Sequence, residues 1–194
     1  MKSFVETYFD ETVFIADTID TNKIEEIVDL IIKVRDSGGR IFILGIGGSA
    51  GNASHMVNDL RKLCGIECYA PTDNVSELTA RTNDEGFETV FEEYLRVSHF
   101  TYRDGIFVLS VGGGNKKRNI STNLINGMDY ASQQGGEILG IVGRSDGYAA
   151  QHKGVLVIPC PSPERITPHS ESFQAVVWHC IVSHPKLQIN ATKW

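Results

Sequence analysis

Apolar residues run along this chain in two rhythms. Over the first forty positions the spacing is helical. Ile24, Ile27, Val28, Ile31 and Ile32, continued by Arg35, form one stripe at steps of three and four. Thr21 or Asn22 stands where a helix cap is expected, and Gly38-Gly39 marks the stop. Phe4, Tyr8 and Phe14 predict an earlier helix. An amphipathic lead-in of this kind has two uses: covering its own sheet, or packing on a partner subunit.

From Arg40 the rhythm changes. Arg40-Ile41-Phe42-Ile43-Leu44-Gly45 is a short continuous apolar run ended by glycine, the pattern of a parallel strand buried on both faces. A helix is expected over residues 49–63, a short strand over 67–70, and helices near 75–82 and 88–97. Gly105-Ile106-Phe107-Val108-Leu109-Ser110 repeats the buried-strand pattern, and a helix over 121–134 follows. Strands over 137–142 and 154–158 complete the set. The last helix is expected to open with Thr167 as cap and Pro168 at its first position, ending before Pro185. Strands alternating with helices predict an α/β fold, a three-layer sandwich whose parallel sheet is flanked by helices, preceded by the N-terminal helices. No repeat, low-complexity tract or linker divides it. One domain is expected over residues 1–194, with a lead-in at 1–39 and an α/β core at 40–194.

Composition narrows the partners. The chain has 194 residues, 41% of them hydrophobic, with 18 basic and 24 acidic side chains for a net charge of −6. That acidic balance opposes nucleic-acid binding, which needs concentrated Lys and Arg. The densest basic run, Lys116-Lys117-Arg118, reads as a solvated loop tip. No apolar run reaches the ~20 residues of a membrane span, and the opening MKSFVETYFDETVF lacks the apolar core of a signal peptide. Cys64, Cys68, Cys160 and Cys180 have no metal-binding spacing and read as buried free thiols, so a cytoplasmic location is expected.

Candidate chemistry begins where two strands end in small residues. At Gly45-Ile46-Gly47-Gly48-Ser49 and at Ser110-Val111-Gly112-Gly113-Gly114, missing side chains let backbone N–H groups approach an anion. Close strand–helix packing asks for glycine too. The first turn is not a dinucleotide fingerprint, because Ala50 stands where the third glycine belongs, and no Gly-Lys-Ser/Thr follows to make a P-loop. His55 and Asp59, four apart on one helix face, suit two metal ligands, an acid/base pair or a surface ion pair. Glu171 and His179 on the last helix are eight apart, ~12 Å along the axis and offset by ~80°. Both can face one crevice, although joint coordination of one ion stretches that geometry. His152, His169 and His184 read as surface or capping residues, Phe173 and Trp178 as core.

With these residues in order, the chain resembles the SIS (sugar isomerase) domain family, and within it the phosphoheptose isomerases. The resemblance runs through Gly45–Ser49, His55, Asp59, Asn83-Asp84-Glu85-Gly86-Phe87, the turn at Ser110, Glu171 and His179. It implies an aldose–ketose isomerase that interconverts sedoheptulose 7-phosphate and D-glycero-D-manno-heptose 7-phosphate, as a homotetramer with sites between subunits and with zinc. It implies substrate contacts from Gly47, Gly48, Ser49, Asp59, Asn83, Asp84, Ser110, Gly112, Ser121 and Glu171. Metal positions fall on His55, Asp59, Glu171 and His179, and the acid/base pair on Asp59 and His179. Ile46 replaces the family's usual asparagine, Asp59 its glutamate and Glu171 its glutamine. The family's Ser-Thr-Ser-Gly-Asn-Ser loop has become Ser110–Gly114 plus an insertion holding Lys116, Lys117 and Arg118. These departures bear on which sugar is bound. Two other readings stay open: a non-catalytic sugar-phosphate sensor, and an isomerase of another phosphosugar.

Overall fold

A computed structural model describes residues 2–192. Its strands are β1 (Ile41–Gly45), β2 (Cys68–Tyr69), β3 (Gly105–Ser110), β4 (Glu137–Val142) and β5 (Gly154–Val157), joined in parallel in the order β2-β1-β3-β4-β5. Every residue of β1 and of β3 is buried, as a continuous apolar run requires when both faces are covered. Chain direction across the sheet reverses between these two strands. Gly45 pairs with Leu109, so both glycine turns leave the sheet side by side at that switch point.

Alternation along the strands divides the core. Ile41, Ile43, Phe107, Leu109, Leu139 and Ile141 meet α2 (Thr21–Asp36), α3 (Gly48–Cys64) and α7 (Ile166–Val182). Phe42, Leu44, Ile106 and Val108 meet α5 (Val90–Val97) and α6 (Thr122–Gln133) on the other face. The result is the three-layer α/β sandwich with a parallel sheet. A buried ion pair fastens the entries of β1 and β3. Asp104, 2% exposed, accepts from the Arg40 guanidinium at 2.9 Å, the Arg40 backbone N–H at 2.8 Å and the Thr101 N–H at 2.8 Å.

The lead-in helices differ. In α2 the stripe Ile27, Val28, Ile31 and Val34 is buried on the sheet. Its cap is Asp20, whose side chain accepts from the Lys23 N–H, rather than Thr21 or Asn22. By contrast α1 (Phe4–Thr18), opened by a Ser3–Glu6 capping box, buries only Ile15. Val5, Phe9 and Val13 form an exposed row at four-residue steps.

The start of α7 corrects the sequence expectation. A 3₁₀ turn over Pro163–Arg165 runs straight into the helix, so Ile166 is its first residue and Arg165 its cap. Pro168 then lies third, still among the first N–H positions that lack an intrahelical acceptor. The thiols are corrected in part. All four are free, Cys64 and Cys68 are buried and their pKa values are pushed up by burial to about 11 and about 12, but Cys180 is exposed. No helix among the described residues is long and apolar enough to cross a membrane.

Candidate active site

The first turn is tight because its glycines permit it. A Cβ on Gly45 would lie 2.3 Å from the Ser49 carbonyl oxygen, so any side chain there would push α3 off the strand. Gly47 caps α3 with φ +63° and ψ −128°, backbone that L-residues avoid. Above Gly48 sits the Glu171 carboxylate, 2.6 Å from where a Cβ would stand. The helix end that the sequence offers to an anion therefore already faces a carboxylate, which its dipole favours. Ser49 is buried, and Ile46 packs partly into the α5/α6 side of the core.

Two to three turns into α3, His55 and Asp59 meet His179 of α7. Asp59 Oδ2 lies 3.9 Å from His55 Nε2 and 4.0 Å from His179 Nε2, and the three donor atoms fall within 4.8 Å of one another. His179 Nδ1 lies 2.8 Å from the Ala175 carbonyl. A carbonyl only accepts, so that bond puts the ring proton on Nδ1 and leaves the Nε2 lone pair turned towards Asp59. Asp59 Oδ1 accepts from Asn58 Nδ2 at 2.8 Å, which divides the carboxylate's two oxygens between different tasks. Beneath them Trp178 is fully buried, with the His55 ring edge-on at 4.6 Å and the His179 ring stacked at 3.5 Å. Two imidazole nitrogens and one carboxylate oxygen are a zinc-type donor set. Tetrahedral bonds of about 2.05 Å would ask for donors about 3.3 Å apart, a contraction of about 0.6–0.7 Å at the two Asp59 distances and of up to about 1.5 Å between the two exposed imidazoles. The donor set fits a metal ion.

The other predicted residues are dispersed. Glu171 is the departure from the expected metal set: its carboxylate rests against Gly48, outside the cluster of His55, Asp59 and His179. Eight residues of helix separate it from His179, and the chain spends it on the first turn instead. Asn83 and Asp84 lie at the exposed end of α4 (Val75–Asp84), where Asn83 Nδ2 donates to Asp84 at 2.7 Å. That helix buries none of its side chains, and no hydrogen bond joins the pair to the cluster among the described residues. At the second turn the Ser110 hydroxyl accepts from the Gly113 N–H at 3.0 Å, Gly112 faces open space, and Ser121 caps α6 in the left-handed region, φ +50°, without using its side chain.

His169 was expected at the surface and is instead 1% exposed. Its Nε2 lies 2.9 Å from Glu11, which also accepts two bonds from Arg165, and Tyr8 stacks on its ring at 4.4 Å. Hydrogen bonds from Arg165 and then His169 hold the Glu11 carboxyl down to about 2. This knot ties α1 to the start of α7, with His169 two residues from Glu171. Tyr8 and Glu11 share a helix face, but nothing in the sequence pairs that face with residues more than 150 positions away. His152 is also drawn in: burial lowers its pKa, and its Nε2 has no partner. His184 does cap, accepting from the Lys186 N–H.

A model of the SIS domain matches residues 7–143, which takes in both glycine turns, His55 and Asp59. The chain belongs to the SIS domain family. Among its SIS relatives, the phosphoheptose isomerase of Syntrophotalea carbinolica is 29% identical over 90% of this chain and 88% of its own length. The probable phosphoheptose isomerase of Thermoplasma volcanium is 33% identical over 69% of this chain and 67% of its own. The structure of a phosphoheptose isomerase from Neisseria gonorrhoeae superposes with a TM-score of 0.77 at 24% identity, covering 92% of this chain and 95% of that one. That likeness establishes the SIS fold.

Proposed function

We propose that this SIS protein is a phosphosugar aldose–ketose isomerase that interconverts sedoheptulose 7-phosphate and D-glycero-D-manno-heptose 7-phosphate. The observation that carries the reading is the convergence of His55 and Asp59, on the helix that follows the first glycine turn, with His179 of α7. The names borne by relatives along nearly the whole chain point the same way.

Isomerisation moves one hydrogen between neighbouring carbons through a cis-enediolate. Asp59 takes a proton from C1 of the ketose and returns it to C2 to give the aldose. Oδ1 is the atom we assign to that proton, because Oδ2 is turned to the imidazoles. His179, with its Nε2 lone pair free, accepts the O1 hydroxyl proton and passes it to O2. No electrons leave the sugar, so no redox partner is required. The same His55, Asp59 and His179 would hold a zinc ion, whose chemistry is to polarise the sugar oxygens; an ion on Nε2 would take the lone pair that His179 uses here, so the His179 proton shuttle and the bound ion are alternative uses of the site. Gly47, Gly48, Ser49, Ser110, Gly112 and Ser121 border the sugar and its phosphate, and Glu171 holds the first turn against α7.

The working form is proposed to be a homotetramer with sites at subunit interfaces. His55 and His179 are half exposed, and the Val5, Phe9, Val13 row leaves α1 uncovered. A second chain covering that face would also bring other groups, such as Asn83 and Asp84 of a neighbour, towards the open triad.

The test is a panel of ketose and aldose phosphates, incubated with and without chelator, with the products identified. The heptose pair is expected to interconvert fastest, and Asp59→Asn, folded as the parent, to lose about 10²–10⁴ of the rate. Undiminished turnover by Asp59→Asn removes the assigned base. Binding of sugar phosphate without any product favours the sensor, and preference for a hexose or pentose phosphate changes the substrate.

A further inference from the structure

The insertion after β3 is a constructed element. Asn115 and Ile120 exchange both backbone hydrogen bonds, at 2.9 and 3.1 Å, closing a small hairpin. Within it Asn115 Oδ1 accepts from the Arg118 N–H at 3.0 Å and caps a 3₁₀ turn over Lys116–Arg118. Lys116 anchors the hairpin to α6: its Nζ lies 2.8 Å from Asp129, whose other oxygen accepts from the Tyr148 hydroxyl, and it sits 4.3 Å over the Tyr148 ring. One cation of the run is therefore engaged in holding the loop. The next two have no carboxylate within ion-pair distance among the described residues.

These two cations border adjoining clefts that share Gly114, Asn115 and Asp146. Lys117 lines the one with Tyr148 and Gln151. Arg118 borders another, of about 170 Å³, walled by Gly112, Gly114, Gly147, Arg144 and Asp146. Arg144 forks onto Asp146 through two bonds of 2.9 Å, so the cleft holds two guanidiniums against one carboxylate, with open space on its wall at Gly112. Gly112 is common to this cleft and to the second glycine turn. That turn has one side-chain hydroxyl, Ser110, already accepting from Gly113, while the first turn faces the Glu171 carboxylate. Positive charge for an anion is thus concentrated on the hairpin side.

We propose that the cleft between the hairpin and the 143–148 loop binds a phosphate monoester through Arg118, with Arg144 as second guanidinium, so that the substrate's phosphate seats there. A guanidinium fork matches two phosphate oxygens, and Arg118 forms no ion pair among the described residues, the nearby Asp146 being held by both nitrogens of the Arg144 fork. The substrate's being a sugar phosphate rests on the proposed function; the anion site itself does not.

Calorimetric titration with inorganic phosphate tests the site directly. Arg118→Ala should weaken binding at least about tenfold, the loss of a charged hydrogen bond, and Arg118→Lys should fall between it and the parent. Lys117→Ala, in the other cleft, should stay within about twofold. A phosphorylated sugar should displace inorganic phosphate and the same sugar without phosphate should not. In turnover, the Arg118→Ala KM should rise by more than kcat falls. Equal phosphate affinity for Arg118→Ala and parent, or equal losses for the two alanine variants, overturns the proposal. Arg118-dependent phosphate binding with no isomerisation upholds the cleft and sinks the isomerase reading instead.

Discussion

At the end of β1 the chain enters α3 after only residues 46–47, whereas at the end of β3 it wanders through residues 111–121 before α6 begins. Both turns are glycine-rich and end neighbouring strands. In the first, glycine serves contact: Gly45 lets the Ser49 carbonyl approach, and Gly48 makes room for Glu171. In the second, a Cβ on Gly112 would meet nothing, Gly113 and Gly114 pack under Ala149 and Ile125, and the segment beyond is held by side chains, Lys116 on Asp129 and Asn115 on Arg118. The tight turn sets where His55 and Asp59 fall, since they follow it on the same rigid helix. The loose turn carries replaceable cations. One turn fixes the chemistry and the other adapts what is bound, a division that lets substrate preference change without moving the reacting groups.

Substitution at the turns is the strongest way to break this contrast. Gly45→Ala forces a methyl into a backbone oxygen, and is expected to cost about 3 kcal/mol or more, a Tm fall of roughly 6–12 °C or failure to fold. A melting curve like the parent's would mean that the first turn is not packed as described. Next in size is the brace behind that turn. Glu11 ties α1 to α7, and its folded-state pKa is depressed from 4.5 to about 2. The stabilisation is therefore whole above about pH 4.5 and is lost as pH falls towards about 2. Amide exchange in α1 should be several-fold faster in Glu11→Gln than in the parent at pH 7, and the two should converge by about pH 2. A gap that stays constant with pH would exclude the ionised tie. The smallest effect sharpens the contrast from the other side: Gly112→Ala enters open space and should shift stability by no more than about 0.5 kcal/mol, read from chemical denaturation.

Much of this was legible from residue order. Buried strands announced themselves as apolar runs between glycines, because a strand covered on both faces cannot alternate. Since one helix face is a local property, the α2 stripe named Ile27, Val28 and Ile31, three of its four buried residues, and missed Val34. His55 and Asp59 were placed together by helical spacing alone; His179 was singled out with Glu171 on the last helix, and only the family resemblance joined it to the pair. Ends were less legible. Thr167 and Pro168 imitate a helix start, but a preceding 3₁₀ turn supplied an earlier one, and Asp20 outcompeted Thr21 because its carboxylate reaches the Lys23 N–H.

What sequence by itself determined, then, is what short-range physics determines: the order of strands and helices, the two turns, and the pair on α3. Tertiary structure alone decided that α7 crosses α3 so that His179, not Glu171, meets Asp59. It also buried His169 under Tyr8 and Glu11, and set Arg118 opposite Arg144 across a cleft. Each of these joins segments whose separation along the chain carries no periodic signal. Only the folded sheet, by fixing where its helices and loops emerge, brings their charges within reach.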